Sequence, residues 1–342
     1  MSGGVHSRKT SLSRREFLKS AAVGAGALFA SSTPFTVRAA AAAAERPRVV
    51  LARDEAAIDG VSGKINAERL GTMLDELLCR LIGEQAAAAA WRRLFRPRDV
   101  VGIKVNCLSG RQMCTRWEVV EAVVGGLRQA GVPEGRIIVW DKDDADLKRA
   151  GYPIQRGRGV AVYGTIGGRY SPGYEEEIRF AGEHVGSCFS RILTEQVTAL
   201  VNVPVLKDHD IAGVTLGLKN WFGAIHNPNK YHDNLCDPYI AELSTHPTIR
   251  DTLRLVVMDA TTLQYDGGPS ARPESALAFG GLLVACDPVA ADAYGVSLIE
   301  AERRRAGLPG LAEVGRPPRH VSTAGRLGVG SDDLSHIEVV NI

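Results

Sequence analysis

Val100-Val101-Gly102-Ile103-Lys104-Val105-Asn106, then Thr115-Arg116-Trp117-Glu118-Val119-Val120, then Ile137-Ile138-Val139-Trp140 decide the fold class of this chain. The first and last are short β-branched runs. Between them Val119, Val120, Val123, Val124 and Leu127 recur at helical spacing until Gly131 and Pro133 stop the pattern. Thr115, with Glu118 three residues on, reads as a capping box that opens this helix. A strand, a helix and a second strand in that order form the unit from which a parallel sheet covered by helices is built.

The alternation continues through the chain. Further strands are predicted at residues 49–52, 160–163, 200–203, 253–258, 282–285 and 337–340. Leu70, Met73, Leu74, Leu77, Leu78 and Leu81 make one apolar helical stripe, and the alanines at 86–90 read as plain helix. Asp287-Pro288 supplies an N-cap and a first-turn proline for a helix running to about Arg305. The expected architecture is an α/β fold, a mainly parallel sheet with helices on both faces, in a single compact domain over residues 45–342.

Residues 1–44 read as an export signal. Ser13-Arg14-Arg15-Glu16-Phe17-Leu18-Lys19 follows the basic Arg8 and Lys9 and precedes an apolar run from Ala21 to Ala30, which Ser31, Ser32 and Pro34 end. A secretory signal needs roughly 7 to 15 apolar residues there, a spanning helix about 20. The segment therefore predicts a twin-arginine signal peptide without a stable membrane anchor, cleaved near the alanines at 39–44. The twin-arginine translocase is the expected partner during export, and the periplasm the expected destination.

Composition removes several function classes. Forty-one Lys and Arg against 39 Asp and Glu leave a formal charge of +2, with no basic block beyond the leader, so nucleic acid is not an expected partner. The six cysteines contain no C-x-x-C pair, and no iron–sulfur cluster or thiolate zinc site is expected. Cys107 and Cys114 are either a bridge closed after export or free buried thiols. The absence of G-x-G-x-x-G after the first strand, of a P-loop, of G-x-S-x-G and of H-E-x-x-H argues against dinucleotide oxidoreductases, P-loop enzymes, serine hydrolases and zincins.

Ligands of open α/β sheets sit beyond the carboxyl ends of the strands, so polar residues following strand runs are the candidates for chemistry. Lys104 and Asn106 point the same way at the end of an apolar, hence central, strand. The run Val201-Asn202-Val203-Pro204-Val205-Leu206-Lys207-Asp208-His209, continuing through Lys219 and Asn220 to His226 and His232, gathers more lysine and histidine than a solubilising loop requires. A desolvated lysine beside a second cation gives up its proton readily, and histidine moves protons or holds metals. Asp208 and Asp259 are the acids available to Lys219 if it stays charged. Asp141-Lys142-Asp143-Asp144-Ala145-Asp146 fails the calcium-loop pattern at Ala145, which leaves Asp141 as its one site candidate. Asp287 is explained as a cap, and Asp292 lies one turn into the following helix.

At these residues the chain resembles the family known as domain of unknown function 362. The likeness rests on Ile103-Lys104-Val105-Asn106, Thr115 with its helix, Val203-Pro204-Val205-Leu206-Lys207-Asp208-His209, Gly213-Val214-Thr215-Leu216-Gly217-Leu218-Lys219-Asn220 and Asp287-Pro288-Val289-Ala290-Ala291-Asp292. Many members add a ferredoxin-like cluster domain, for which the cysteines are missing here. A more distant likeness is to nickel-dependent lactate racemases, in which the lysine tethering a nickel pincer nucleotide stands ten residues after a histidine, the spacing of His209 and Lys219. The racemase glycine pair is Gly217-Leu218 in this chain, and the downstream histidine has two candidates, His226 and His232.

The expectation is an enzyme acting on a small anionic ligand, with Lys104, Asn106, Lys207, His209, Lys219 and Asn220 as its working residues. Lys219, Thr115 and Asp141 are the candidates for holding a cofactor whose identity is unknown, and His209, His226 and His232 those for a metal ion. The rival expectation is a non-catalytic binding protein using the same pocket.

Overall fold

The computed structural model describes residues 46–342, apart from residue 61. The segment read as an export signal lies outside the described residues. Among the described residues twelve strands are interspersed with helices: β1 (Arg48–Arg53), β2 (Val101–Val105), β3 (Ile137–Trp140), β4 (Ala161–Val162), β5 (Arg179–Ala181), β6 (Val185–Ser187), β7 (Ala199–Val203), β8 (Val205–His209), β9 (Gly213–Val214), β10 (Leu253–Gln264), β11 (Ala276–Ala285) and β12 (Glu338–Asn341). Ten of them form one sheet, in the order β12-β1-β11-β10-β7-β2-β3-β4, with β8 joined to β10 and β9 to β8.

Pairing is parallel at most of the sheet. The exceptions are β11, antiparallel to both β1 and β10, and the short β9, antiparallel to β8; β10 and β11 are the arms of one long hairpin. Among the described residues no helix is long and apolar enough to cross a membrane.

Helices cover both faces. On one face α1 (Ala67–Ile82), α2 (Ala87–Leu94) and α3 (Trp117–Gln129) bury the predicted leucine stripe and Val119, Val120, Val123 and Leu127 against Ile103, Val139, Val201 and Val257. The short α4 (Asp144–Ala150) follows β3. On the other face lie α5 (Leu216–Lys219), α6 (Tyr239–Thr245), α7 (Pro247–Arg250), α8 (Pro288–Arg305) and α9 (Arg319–Arg326), with Trp140, Leu200, Leu216, Trp221, Met258 and Val289 in their core. Asp287 caps α8 as its sequence predicts, accepting from the Val289 and Ala290 amides.

Two local expectations are corrected. Thr115 does not cap α3, whose cap position is Arg116 with no side-chain bond. Its hydroxyl donates to the Val203 carbonyl at 2.7 Å and accepts from the Asn106 amide at 2.9 Å. Those groups are left without ladder partners where β2 and β7 end, and satisfying them outweighs an exposed cap. Secondly, the chain does not enter a loop at Pro204. It resumes as β8, so Lys207, Asp208 and His209 stand on a buried strand whose alternation turns Lys207 and His209 one way and Asp208 the other.

Candidate functional site

Strand register builds the first half of the site. Lys104 on β2 stands opposite Trp140 on β3 and Asn202 on β7, placing an ammonium, an indole and an amide in one row across three central strands. Lys104 is 1% exposed. Its Nζ donates to Asp141 Oδ1 at 2.7 Å, to the Val105 carbonyl at 2.7 Å and to Asn220 Oδ1 at 3.3 Å. Asp141, the first residue after β3, also accepts from the Cys107 amide at 2.7 Å. A buried ammonium with a carboxylate and two further acceptors is compensated, so Lys104 serves as an anchored structural cation. From it a chain of amides extends: Asn106 Nδ2 to Asn220 Oδ1 (3.2 Å), Asn220 Nδ2 to Asn202 Oδ1 (2.7 Å), and Asn202 Nδ2 to the Gly217 carbonyl (2.8 Å). Asn106 Oδ1 is buried without a partner.

The second half begins at α5. Leu216, which opens it, has φ of 45°, a left-handed conformation that costs a side-chain-bearing residue about 1–2 kcal/mol. Asp292, one turn into α8, holds this turn by accepting from the Gly217 amide at 2.7 Å and the Leu218 amide at 2.9 Å. Burial raises the Asp292 carboxyl to about 7 against the pull of those two amides. The turn delivers Lys219 and Asn220 side by side. Asn220 joins the Lys104 network, while Lys219 Nζ lies 3.2 Å from His232 Nε2 and 4.6 Å from the Phe222 ring centre.

The tautomers of two histidines follow from their partners. His232 Nδ1 lies 3.1 Å from the Pro228 carbonyl and must donate to it, which leaves the Nε2 lone pair facing Lys219. His209 Nδ1 accepts from the Ile211 and Ala212 amides at 3.0 and 3.2 Å, so its proton is on Nε2. The exposed Asp210 carboxylate, 3.0 Å from the same Nδ1, is outweighed by the two amides because water already solvates it. Burial first, and then the charge of Lys219, push His209 down to about 2.

Lys207 is fully buried and bonded only to neutral oxygens: Ser109 Oγ at 3.0 Å, the Pro269 carbonyl at 3.2 Å and the Met113 carbonyl at 3.4 Å. Desolvation lowers both Lys207 and Lys219 to about 8. Neither of the acids considered for Lys219 is its hydrogen-bond partner. Asp208 is held by Arg316 (3.0 Å) and the Gly268 amide (2.7 Å), and Asp259 by the Arg116 and Thr261 amides.

The sequence candidates thus meet at the carboxyl edge of the sheet in two linked groups: Lys104, Asn106, Asp141 and Asn220, then Lys207, His209, Lys219 and His232. His226 is exposed, with its ring edge-on to Tyr174, and Thr115 serves the strand ends. Among the described residues no group of three or more His, Cys, Asp and Glu side chains converges as a metal site, so His209, His226 and His232 do not form one. Cys107 and Cys114 are free, buried thiols. Sequence reading missed His320 on α9, fully buried with both ring nitrogens unpartnered and pushed down to about 3 by burial and by Lys219. It also missed Asn202 and the role of Asp292, which the Asp287-to-Asp292 segment contained.

Fold and site define an α/β domain with a largely buried cluster of lysine and histidine side chains at the sheet's carboxyl edge. The chain belongs to the family described as domain of unknown function (DUF362), whose model matches residues 101–297. No curated protein matches the chain. Among solved structures it is similar to a protein from Thermotoga maritima at 13% identity, with a TM-score of 0.40 over 71% of this chain and 60% of that one. It therefore spans less than two thirds of that relative's length.

Proposed function

We propose that the protein is an exported enzyme that acts on a small anionic molecule, with Lys219 as its proton-transferring amine. One observation carries this reading: Lys219 sits beside the free lone pair of His232, out of water, next to a second uncompensated lysine and with no carboxylate bonded to it. Structural buried cations are paired, as Lys104 is. With its pKa near 8, an appreciable fraction of Lys219 is a neutral base at physiological pH. A substrate anion is drawn by the charge of Lys207, while Lys219 is in its neutral form. The amine then takes a proton from the bound molecule, and the ammonium so formed is held by His232 Nε2. Asn106 Oδ1 and the His320 ring offer unspent hydrogen-bonding capacity for orienting the ligand.

Competitive acetylation read by mass spectrometry tests this. Lys219 should label with a midpoint near pH 8, set against about 10.4 for an ordinary lysine. An ordinary midpoint would favour the rival reading, a ligand-binding protein, for which the saturated Lys104–Asp141–Asn220 network is the supporting feature. Export by the twin-arginine translocase to the periplasm rests on Arg14-Arg15 and the apolar run after it. Precursor with both arginines changed to lysine should stay in the cytoplasm, and normal maturation of that variant would refute export by this route.

A further inference from the structure

A cleft of about 480 Å³ opens on the surface beside the loop that follows β2, lined by residues 108–112 together with Arg149, Ser270 and Ala271. Arg111 lies flat on Gly151, where an added Cβ would come within 2.7 Å of its guanidinium. Arg149, exposed at the opposite side, pairs with Asp146. The floor is Ser109, whose Oγ accepts from Lys207 Nζ at 3.0 Å and donates to the Pro269 carbonyl. Two guanidinium groups and, behind Ser109, one buried ammonium stand against the single carboxylate of Asp146, an excess of two positive charges around the cleft.

We propose that this cleft is a binding site for a small dianion, a dicarboxylate or a phosphate ester, gripped by Arg111, Arg149 and Ser109 over the buried charge of Lys207. Guanidinium forks bind planar or tetrahedral oxyanions through paired N–H bonds. Ser109 supplies a hydroxyl that can turn from Pro269 to the ligand. Lys207 adds its charge at short range in a medium poorer in water than the rim, where Coulomb attraction is less screened. Leu108, 60% exposed at the mouth, gives the ligand's carbon skeleton an apolar contact. The site shares Lys207 with the proposed chemistry but does not require Lys219, and it stands whether or not Lys219 transfers protons.

Sulfate, which keeps both charges across the accessible pH range, and succinate are the probes, titrated calorimetrically into the full mature chain at low ionic strength with chloride as control. Both dianions should bind in preference to chloride. If the natural ligand is a phosphate ester, methyl phosphate should compete with sulfate more strongly than succinate does, and the reverse ranking identifies a dicarboxylate. Arg111→Gln and Arg149→Gln, both at the surface, should each weaken sulfate about tenfold without altering the circular dichroism. Lys207→Met should weaken it several-fold and reduce the fall in affinity expected of the parent between pH 7 and 9, leaving only the part that Lys219 contributes. The groups facing Lys207 are Ser109, Met113, Pro269, Cys107, Cys114, Asp141 and Lys219. Of these, the two thiols are raised and do not titrate in that window, and Lys219 is common to both proteins. Sulfate affinity equal to that of chloride, or unchanged in both arginine variants, overturns the proposal.

Discussion

Lys104 and Asp141 form an ion pair of 2.7 Å, out of water, with Gly223 closing over both ends. A Cβ on Gly223 would stand 2.8 Å from Lys104 Nζ and 2.9 Å from Asp141 Oδ1. Gly223→Ala must therefore push the pair apart, and separating buried charges costs about 2 kcal/mol or more. Urea unfolding should show that loss. Gly125→Ala in α3, where the added carbon meets nothing within 4 Å, should be neutral or stabilising by up to about 1 kcal/mol.

Asp292 offers two acceptor oxygens to two buried amides. Asn at that position keeps one acceptor and turns an N–H₂ toward the other amide. Asp292→Asn should cost about 1–3 kcal/mol and loosen the turn that carries Lys219, seen as a lower Tm together with faster hydrogen exchange at Gly217 and Leu218. Unchanged exchange at those two amides would mean the carboxylate does not hold the turn.

Lys219 and Lys207 have folded-state pKa values near 8, below the unfolded value of 10.5. Below pH 8 each protonated lysine lowers stability, and the cost disappears between pH 8 and 10.5, where the unfolded chain alone keeps the proton. Lys219→Met should therefore gain stability over the parent at pH 7, by at most about 3 kcal/mol, with the gain shrinking toward pH 10. Taking the difference between the two proteins cancels the cysteines, which titrate in the opposite sense. A variant less stable at pH 7 would show that Lys219 is a paired structural cation.

His209 and His320 are held neutral, near 2 and 3, while the unfolded chain protonates them below about 6.5. Stability from both is complete above pH 6.5 and is lost as pH falls below it. At pH 5 each imidazole contributes about 2 kcal/mol to the loss. His320→Phe should flatten the acid side of the stability profile, and a profile parallel to the parent's would place a counter-charge near His320 that keeps it protonated.

Much of the architecture was legible because period-two apolar runs and 3.6-residue stripes are local signals. The eight strands expected from residues 49 to 340 are all present, α1 and α3 stand where their apolar stripes put them, and α8 stands where Asp287-Pro288 opens it. Strand β8 escaped because Pro204 interrupts the apolar run, whereas the chain, paired with β10 along β7, pairs with β10 again along β8, with the proline between the two.

For the site, sequence determined the residue types and their strand-end positions: Lys104 and Asn106 after one apolar run, Lys207 and His209 two apart on another, Lys219 and Asn220 adjacent. Alternation and adjacency are properties of a chain read one segment at a time. Only tertiary structure decided that Lys104 is neutralised by Asp141 while Lys207 and Lys219 are not, since a lysine's charge depends on which acids cross-strand register brings within reach. The same holds for His320, which nothing in its own segment marks, and which comes within reach of the Lys219 charge because α9 packs against α6 and α8. Burial and charge proximity arise between segments far apart in the chain, so they come into existence only when the sheet closes.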